Sequence, residues 1–118
     1  MKLITAIVRP EKLDELILAL IDHGVQGLTV TDVRGFGQQY GRLAGAATRV
    51  SGRPGEHMAV LLAKVRLDLV TLDDDVETLV EAIAKHARTE TIGDGKIWVT
   101  PVEGAMRVRT GERDRSAV

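Results

Sequence analysis

A chain of 118 residues is the size of one domain, and 44% hydrophobic residues suffice to build a core. With one Phe, one Trp and one Tyr that core is aliphatic, and with no cysteine the chain forms no disulfide, thiolate metal site or cysteine nucleophile. A formal net charge of -1 argues against bulk electrostatic binding of nucleic acid.

The chain opens with KLITAIVR, β-branched and apolar, which reads as a strand from Lys2 to Val8 stopped by Pro10. It lacks the long apolar run and small-residue cleavage site of a signal peptide, and no stretch is long enough to span a membrane. The expectation is a soluble cytoplasmic protein. PEKLDELILALIDHG follows, with Leu13, Leu16, Ile17, Leu20 and Ile21 at helical spacing on one face. Pro10 and Glu11 suit its first turn and Gly24 its stop. GLTVTDVRG is a second strand.

Gly35 to Gly55 is rich in Gly, Ala and polar residues without a clean period. A structureless loop of that length in a small domain points to function. HMAVLLAKVRLDLVT is the next strand, and LDDDVETLVEAIAKHAR a second helix. Asp73 or Asp74 is placed to cap it, and Val76, Leu79, Val80, Ile83, Ala84 and Ala87 form its apolar face. TIGDGK is a tight turn and KIWVTPV a fourth strand. The tail, about 111–118, is charged and expected to be flexible.

The order β-α-β-loop-β-α-β is the ferredoxin-like α+β plan, βαββαβ with an antiparallel sheet, as a single domain over residues 1–118. Leu3, Ile4, Ile7 and Val8, and Val60 to Ala63, make the strands apolar on both faces. A sheet covered by helices on one side should be polar on the other. The second apolar face therefore implies contact with other copies of the chain, a homo-oligomer.

Three motifs carry chemistry. Gly35 and Gly37 in GFG are too short a signal for a dinucleotide fingerprint, because no helix follows at the right spacing. On pattern alone they read better as a strand leaving the sheet. Gly93, Asp94, Gly95 and Lys96 read either as an Asp-Gly turn or as a concavity of turn amides for an anion, with Lys96 adding charge. Arg107 and Arg109, on an extended segment, would point to one side and could grip a polyphosphate, or form a solvated basic edge. His23, His57 and His86 show no metal-ligand spacing, and Trp98 reads as lying on the sheet.

The pieces MKLITAIVRPEKLDEL, GVQGLTVTDVRGFGQQ, KVRLDLV and TIGDGKIWVTPVEGAMRVRTGE occur in one order and span nearly the whole chain outside Tyr40 to Ala63. In this the chain resembles the PII signal-transduction proteins, small trimeric regulators of nitrogen and carbon metabolism. The resemblance implies a homotrimer with ADP or ATP, or AMP, bound in clefts between subunits. The nucleotide-binding residues it implies include Leu28 and Thr29 at the base, Gly35, Gly37 and Gln38 where the backbone passes close, and Asp68 near the adenine in place of the usual Glu. Val70, Gly93, Asp94, Gly95 and Lys96 complete that set, with Arg107 and Arg109 reaching the β- and γ-phosphates from a neighbouring subunit. The effector residues it implies are Gln39, Tyr40, Gly41 and Lys64. Gln39 would help hold Mg with ATP and 2-oxoglutarate, and Lys64 would meet the distal carboxylate or the loop. The segment of about 37–56 corresponds to the T-loop, which contacts target proteins.

The T-loop departs from the pattern. Gln38 stands where a basic residue is usual, Tyr40 where a Lys is usual, and the tyrosine that is uridylylated in the middle of the loop is missing. The loop body RLAGAATRVSGRPGE carries three arginines and one glutamate and suits an acidic partner or a small anion. Uridylylation is therefore expected to be absent. Fewer cations beside Gln39 suit a monoanion such as bicarbonate, as in variants tied to inorganic carbon. The leading expectation is a non-enzymatic sensor of adenine nucleotide and bicarbonate acting on an unknown target. The alternatives are the conventional nitrogen role with 2-oxoglutarate and Mg-ATP, slow ATP hydrolysis, for which no general base stands out, and a purely structural assembly protein.

Overall fold

β-Branched and apolar residues open the chain and form a strand, β1 (Lys2–Val8), ended by Pro10, which has no backbone N–H to give to a ladder. The structure, a computed structural model, describes residues 1–37, 47–49 and 60–118. After β1 come a 3-10 turn at Pro10–Lys12, helix α1 (Leu13–Asp22), strand β2 (Thr29–Gly35), a short strand β3 (Ala47–Arg49) and the long strand β4 (Val60–Thr71). A 3-10 turn at Asp73–Asp75 leads into helix α2 (Val76–Ala87), then strand β5 (Lys96–Pro101).

The sheet runs β2-β4-β1-β5 and is antiparallel throughout. With both helices in the connections, this is the ferredoxin-like α+β fold that the order of elements implies. β3 is an addition to it, inside the stretch read as structureless. It pairs with β4 through Ala47↔Leu62, Thr48↔Leu61 and Arg49↔Val60. Leu62 also pairs with Gly35 of β2, and β1 leaves β4 at Val65. β3 thus takes the edge of β4 that β1 vacates as the chain turns off at Pro10.

One face of the sheet carries the core. Ile4, Ala6 and Val8 of β1 and Val65, Leu67 and Leu69 of β4 meet Leu16 and Leu20 of α1 and Leu79, Ile83 and Ala87 of α2. Ile4, Leu16, Leu20, Leu67 and Ile83 are fully buried, and each such side chain contributes roughly 1.5–3 kcal/mol. Ile21 does not join them. It lies at the edge of the α1 stripe and is 56% exposed.

The opposite face is mixed, not apolar as the strand composition suggests. Leu3, Thr5 and Ile7 lie in register with Val70, Asp68 and Arg66, and Thr5 and Arg66 both donate to the Asp68 carboxylate. Trp98 is in register with Thr5 on this face and is 38% exposed.

The ends of α1 and α2 differ from one another. Gly24, at φ +86°, closes α1: its amide donates to Ile21 O at 2.9 Å and that of Val25 to Leu20 O at 3.0 Å. These are the paired bonds of a Schellman motif, which needs a left-handed residue at this point. At α2 neither Asp73 nor Asp74 acts as the expected cap. The 3-10 turn intervenes, no side-chain capping bond is made, and Asp73 instead accepts an ion pair from the Met1 amine at 2.9 Å. That amine holds the Asp73 carboxyl below the usual range, by hydrogen bond and by charge.

The tail expected to be flexible has local structure. Met106 bridges to Arg113, and Asp114–Ala117 is a turn of 3-10 helix. Among the described residues no helix is long and apolar enough to cross a membrane.

Candidate functional site

A cleft of about 820 Å³ opens where the start of β2 and the C-terminal half of β4 face the returning tail. It is lined by Leu28, Thr29, Asp68, Val70 and Arg107, five of the residues assigned to nucleotide from the sequence, together with Ala117 and Val118. The register explains the grouping: Thr29 is paired with Asp68 across β2 and β4.

Asp68 is prepared by its neighbours. The buried Thr5 hydroxyl donates to Oδ1 at 2.7 Å, and Arg66 donates Nε to Oδ2 at 2.8 Å. The Arg66 hydrogen bond, then that of Thr5, hold the Asp68 carboxyl below the usual range against the effect of burial. The same carboxylate raises Arg66. Asp68 is thus an ionised acceptor at any ordinary pH.

Arg107 and Arg109 are not on an extended segment. Arg107 N donates to Glu112 O, and Gly111 N to Arg107 O, both at 2.8 Å, so the chain reverses through a turn at 108–110. The alternation that would put both guanidiniums on one side therefore does not apply, and only Arg107 lines the cleft. Its Nη2 also approaches Ser116 O at 3.5 Å.

The Gly93 to Lys96 turn lies elsewhere, at the other end of β4. Lys64 and Asp68 share a face of that strand four residues apart, about 13 Å along it. Asp94 organises the turn from inside. Its carboxylate accepts from Thr89 N at 2.7 Å, Glu90 N at 2.8 Å, the Thr89 hydroxyl and Arg9 Nε at 3.1 Å. Burial opposes its ionisation, yet the bonds from Thr89, Arg9 and Glu90 hold its pKa far below the ordinary value. Its side chain is engaged by the turn itself. Gly95 sits with φ +101° directly over the Ile7 carbonyl. Lys96 is exposed at the start of β5.

Lys64 is buried, 9% exposed, and donates Nζ to Gly93 O at 2.5 Å. Burial first, and then the charge of Arg9, lowers its pKa. Gly35 pairs with Leu62 at the end of β2, and a Cβ added there would meet nothing within 4 Å. Contacts among the described residues thus give no reason for a glycine. Gly37 is exposed. Gln38, Gln39, Tyr40 and Gly41, and most of the T-loop stretch, lie outside the described residues.

Of the histidines, His23 hydrogen-bonds the Ala19 carbonyl and His86 meets Glu15 at 3.1 Å across the two helices, while His57 lies outside the described residues. Among the described residues no group of three or more His, Cys, Asp or Glu could hold a metal ion.

Sequence reading missed Arg9, Thr5, Arg66 and Thr89. Arg9 contacts Thr91, Ile92 and Asp94, up to 85 residues away in sequence. The only local signal is its place at a strand end before proline.

The sequence matches the family model described as "Nitrogen regulatory protein P-II" over residues 1–112. A relative of that name from Cereibacter sphaeroides is 49% identical, one from Pasteurella multocida 45% and one from Synechocystis 42%, each over the full length of both chains.

Proposed function

Since the chain belongs to the nitrogen regulatory protein P-II family, we propose that it is a trimeric signalling protein which binds adenine nucleotide in clefts between subunits. It reads 2-oxoglutarate together with Mg-ATP, and passes the result to a target protein through the loop of about 37–56. The observation that carries this reading is the cleft of about 820 Å³ that gathers Leu28, Thr29, Asp68, Val70 and Arg107. The separate Gly93 to Lys96 turn then belongs to a second wall of the site, brought up by a neighbouring subunit.

Nucleotide binding suits these walls. Leu28 and Val70 offer apolar contact for a base, ionised Asp68 an acceptor, and Arg107 a fork for phosphate. The relatives favour 2-oxoglutarate over bicarbonate as effector, since their names place them in nitrogen regulation. The altered residues Gln38 and Tyr40 are the ground for testing bicarbonate beside it.

Calorimetric titration with ADP and ATP, each alone, with Mg and 2-oxoglutarate, and with bicarbonate, tests the proposal. Tightening of Mg-ATP by 2-oxoglutarate is the expected result. Tightening by bicarbonate alone would move the protein to inorganic-carbon sensing, and no nucleotide binding under any condition would overturn the sensor reading.

A further inference from the structure

The turn that carries Gly93 to Lys96 is held from the sheet by two cations. Arg9, just past β1, donates Nη2 to the Ile92 carbonyl at 2.7 Å and to the Thr91 hydroxyl at 3.0 Å, and Nε to Asp94 at 3.1 Å. Lys64 of β4 donates Nζ to the next carbonyl, that of Gly93, at 2.5 Å. Two successive carbonyl oxygens are thereby drawn toward the sheet. A trans peptide sets its N–H opposite its C=O, so the amides of Gly93 and Asp94 point away from both cations. Gly93 and Gly95 hold φ at 102° and 101°, the kind of turn in which successive amides form a concavity for an anion.

We propose that Arg9, helped by Lys64, is the positioning residue of this turn: by capturing the Ile92 and Gly93 carbonyls it aims the Gly93 and Asp94 amides at the phosphates of the nucleotide. The inference rests on the nucleotide reading of the site. Arg9 does not touch the ligand in this scheme. It prevents the peptide flips that would turn an oxygen, and so a repulsive dipole, toward a phosphate. Glycine at position 93 makes such flips easy unless something opposes them. The role needs the planar fork of arginine, which meets acceptors on Thr91, Ile92 and Asp94 at once; the single ammonium of lysine cannot span them.

The test compares the full-length chain with Arg9→Met and Arg9→Lys by calorimetric titration with ATP, and follows the Gly93 and Asp94 amide resonances by NMR as ADP is added. Loss of aligned, charge-assisted bonds should weaken ATP binding about tenfold in Arg9→Met. Affinity should stay low in Arg9→Lys although the charge is kept. In the wild type both amide resonances should shift on adding ADP, and in Arg9→Met at saturating ADP that response should vanish. A merely structural role would lower the unfolding midpoint without abolishing the amide response.

Wild-type affinity in either variant overturns the inference while nucleotide binding stands. So does a wild type that binds ADP with both amides silent. Failure of the wild type to bind any nucleotide overturns the proposed function and this inference with it. If Arg9→Met does not fold, Thr91→Val removes one acceptor of Arg9 at an exposed position and should give a smaller loss of the same kind; unchanged ATP affinity there counts against the inference.

Discussion

A Cβ at position 95 would lie 1.7 Å from the carbonyl oxygen of Ile7, on a backbone already held at φ +101°. Gly24 also has a positive φ, +86°, but an added Cβ there meets nothing within 4 Å. The two glycines separate strain from collision. Gly24→Ala should cost only the left-handed penalty, about 1–2 kcal/mol. Gly95→Ala adds a backbone clash that no side-chain rotation relieves, and should cost about 3 kcal/mol or more. Urea unfolding of both variants checks the order; equal losses would show that the turn yields to the new Cβ.

Asp94 should make the protein sensitive to acid. Its folded-state pKa is depressed from an ordinary value of 3.8, because Thr89, Glu90 and Arg9 all donate to the carboxylate. A depressed carboxyl contributes stability that is fully present above the unfolded value and is lost as pH falls toward the folded one. Asp94→Asn, which turns an NH2 toward some of those donors, should cost about 1–3 kcal/mol at pH 7. The gap to the wild type should narrow below pH 3.8, the ordinary value for this group. Urea titrations at neutral and acid pH measure it, and a gap independent of pH would remove the charge from the explanation.

Thr5→Val should act on Asp68. The Thr5 hydroxyl is fully buried and donates to Oδ1 at 2.7 Å, beside the Arg66 bond to Oδ2. Valine keeps the shape and removes the donor, at a cost of about 1–2 kcal/mol. The Asp68 pKa should rise, since one of the bonds holding it down is gone. Carbon-detected NMR titration of the Asp68 carboxyl reads this directly; an unmoved pKa would leave Arg66 as its sole support.

These cases show where sequence reading succeeds. In VETLVEAIAKHA the helical period marks Leu79, Ile83 and Ala87, which are buried, and Val76, Val80 and Ala84, which are half-buried beside them. A period is local, so it survives without knowledge of the rest of the chain. Strand β3 was not legible, because Ala47–Arg49 has no strand composition and forms only on the edge that β1 leaves free. The Asp73 cap was misread because its partner is the amine at the start of the chain. Of the cleft residues, only Arg107 belongs to a motif; Leu28, Thr29, Asp68 and Val70 are marked by the family resemblance alone, and the roles of Arg9 and Thr5 depend on contacts up to 85 and 63 residues away in sequence. Gly95 shows a further limit. Its motif suggested a phosphate cradle, while the structure gives the glycine an independent reason in Ile7.

The two arginines of the tail offer the sharpest test of the cleft. The sequence treats Arg107 and Arg109 as equals on an extended strand, but the turn at 108–110 breaks that symmetry. Arg107 faces the cleft with Leu28, Asp68 and Val70, whereas Arg109 is exposed on the turn and does not line it. A charge-assisted bond to phosphate contributes about 1.5–3 kcal/mol, so Arg107→Ala should weaken ATP binding by about tenfold or more. Arg109→Ala should cost less, because Arg109 is exposed on the turn and does not line the cleft. Titration of both variants with ATP, ADP and AMP separates the cases. A larger loss for Arg109→Ala that grows with phosphate number would mean that the turn swings in when nucleotide binds. Equal and small losses would move the phosphate site away from the tail altogether.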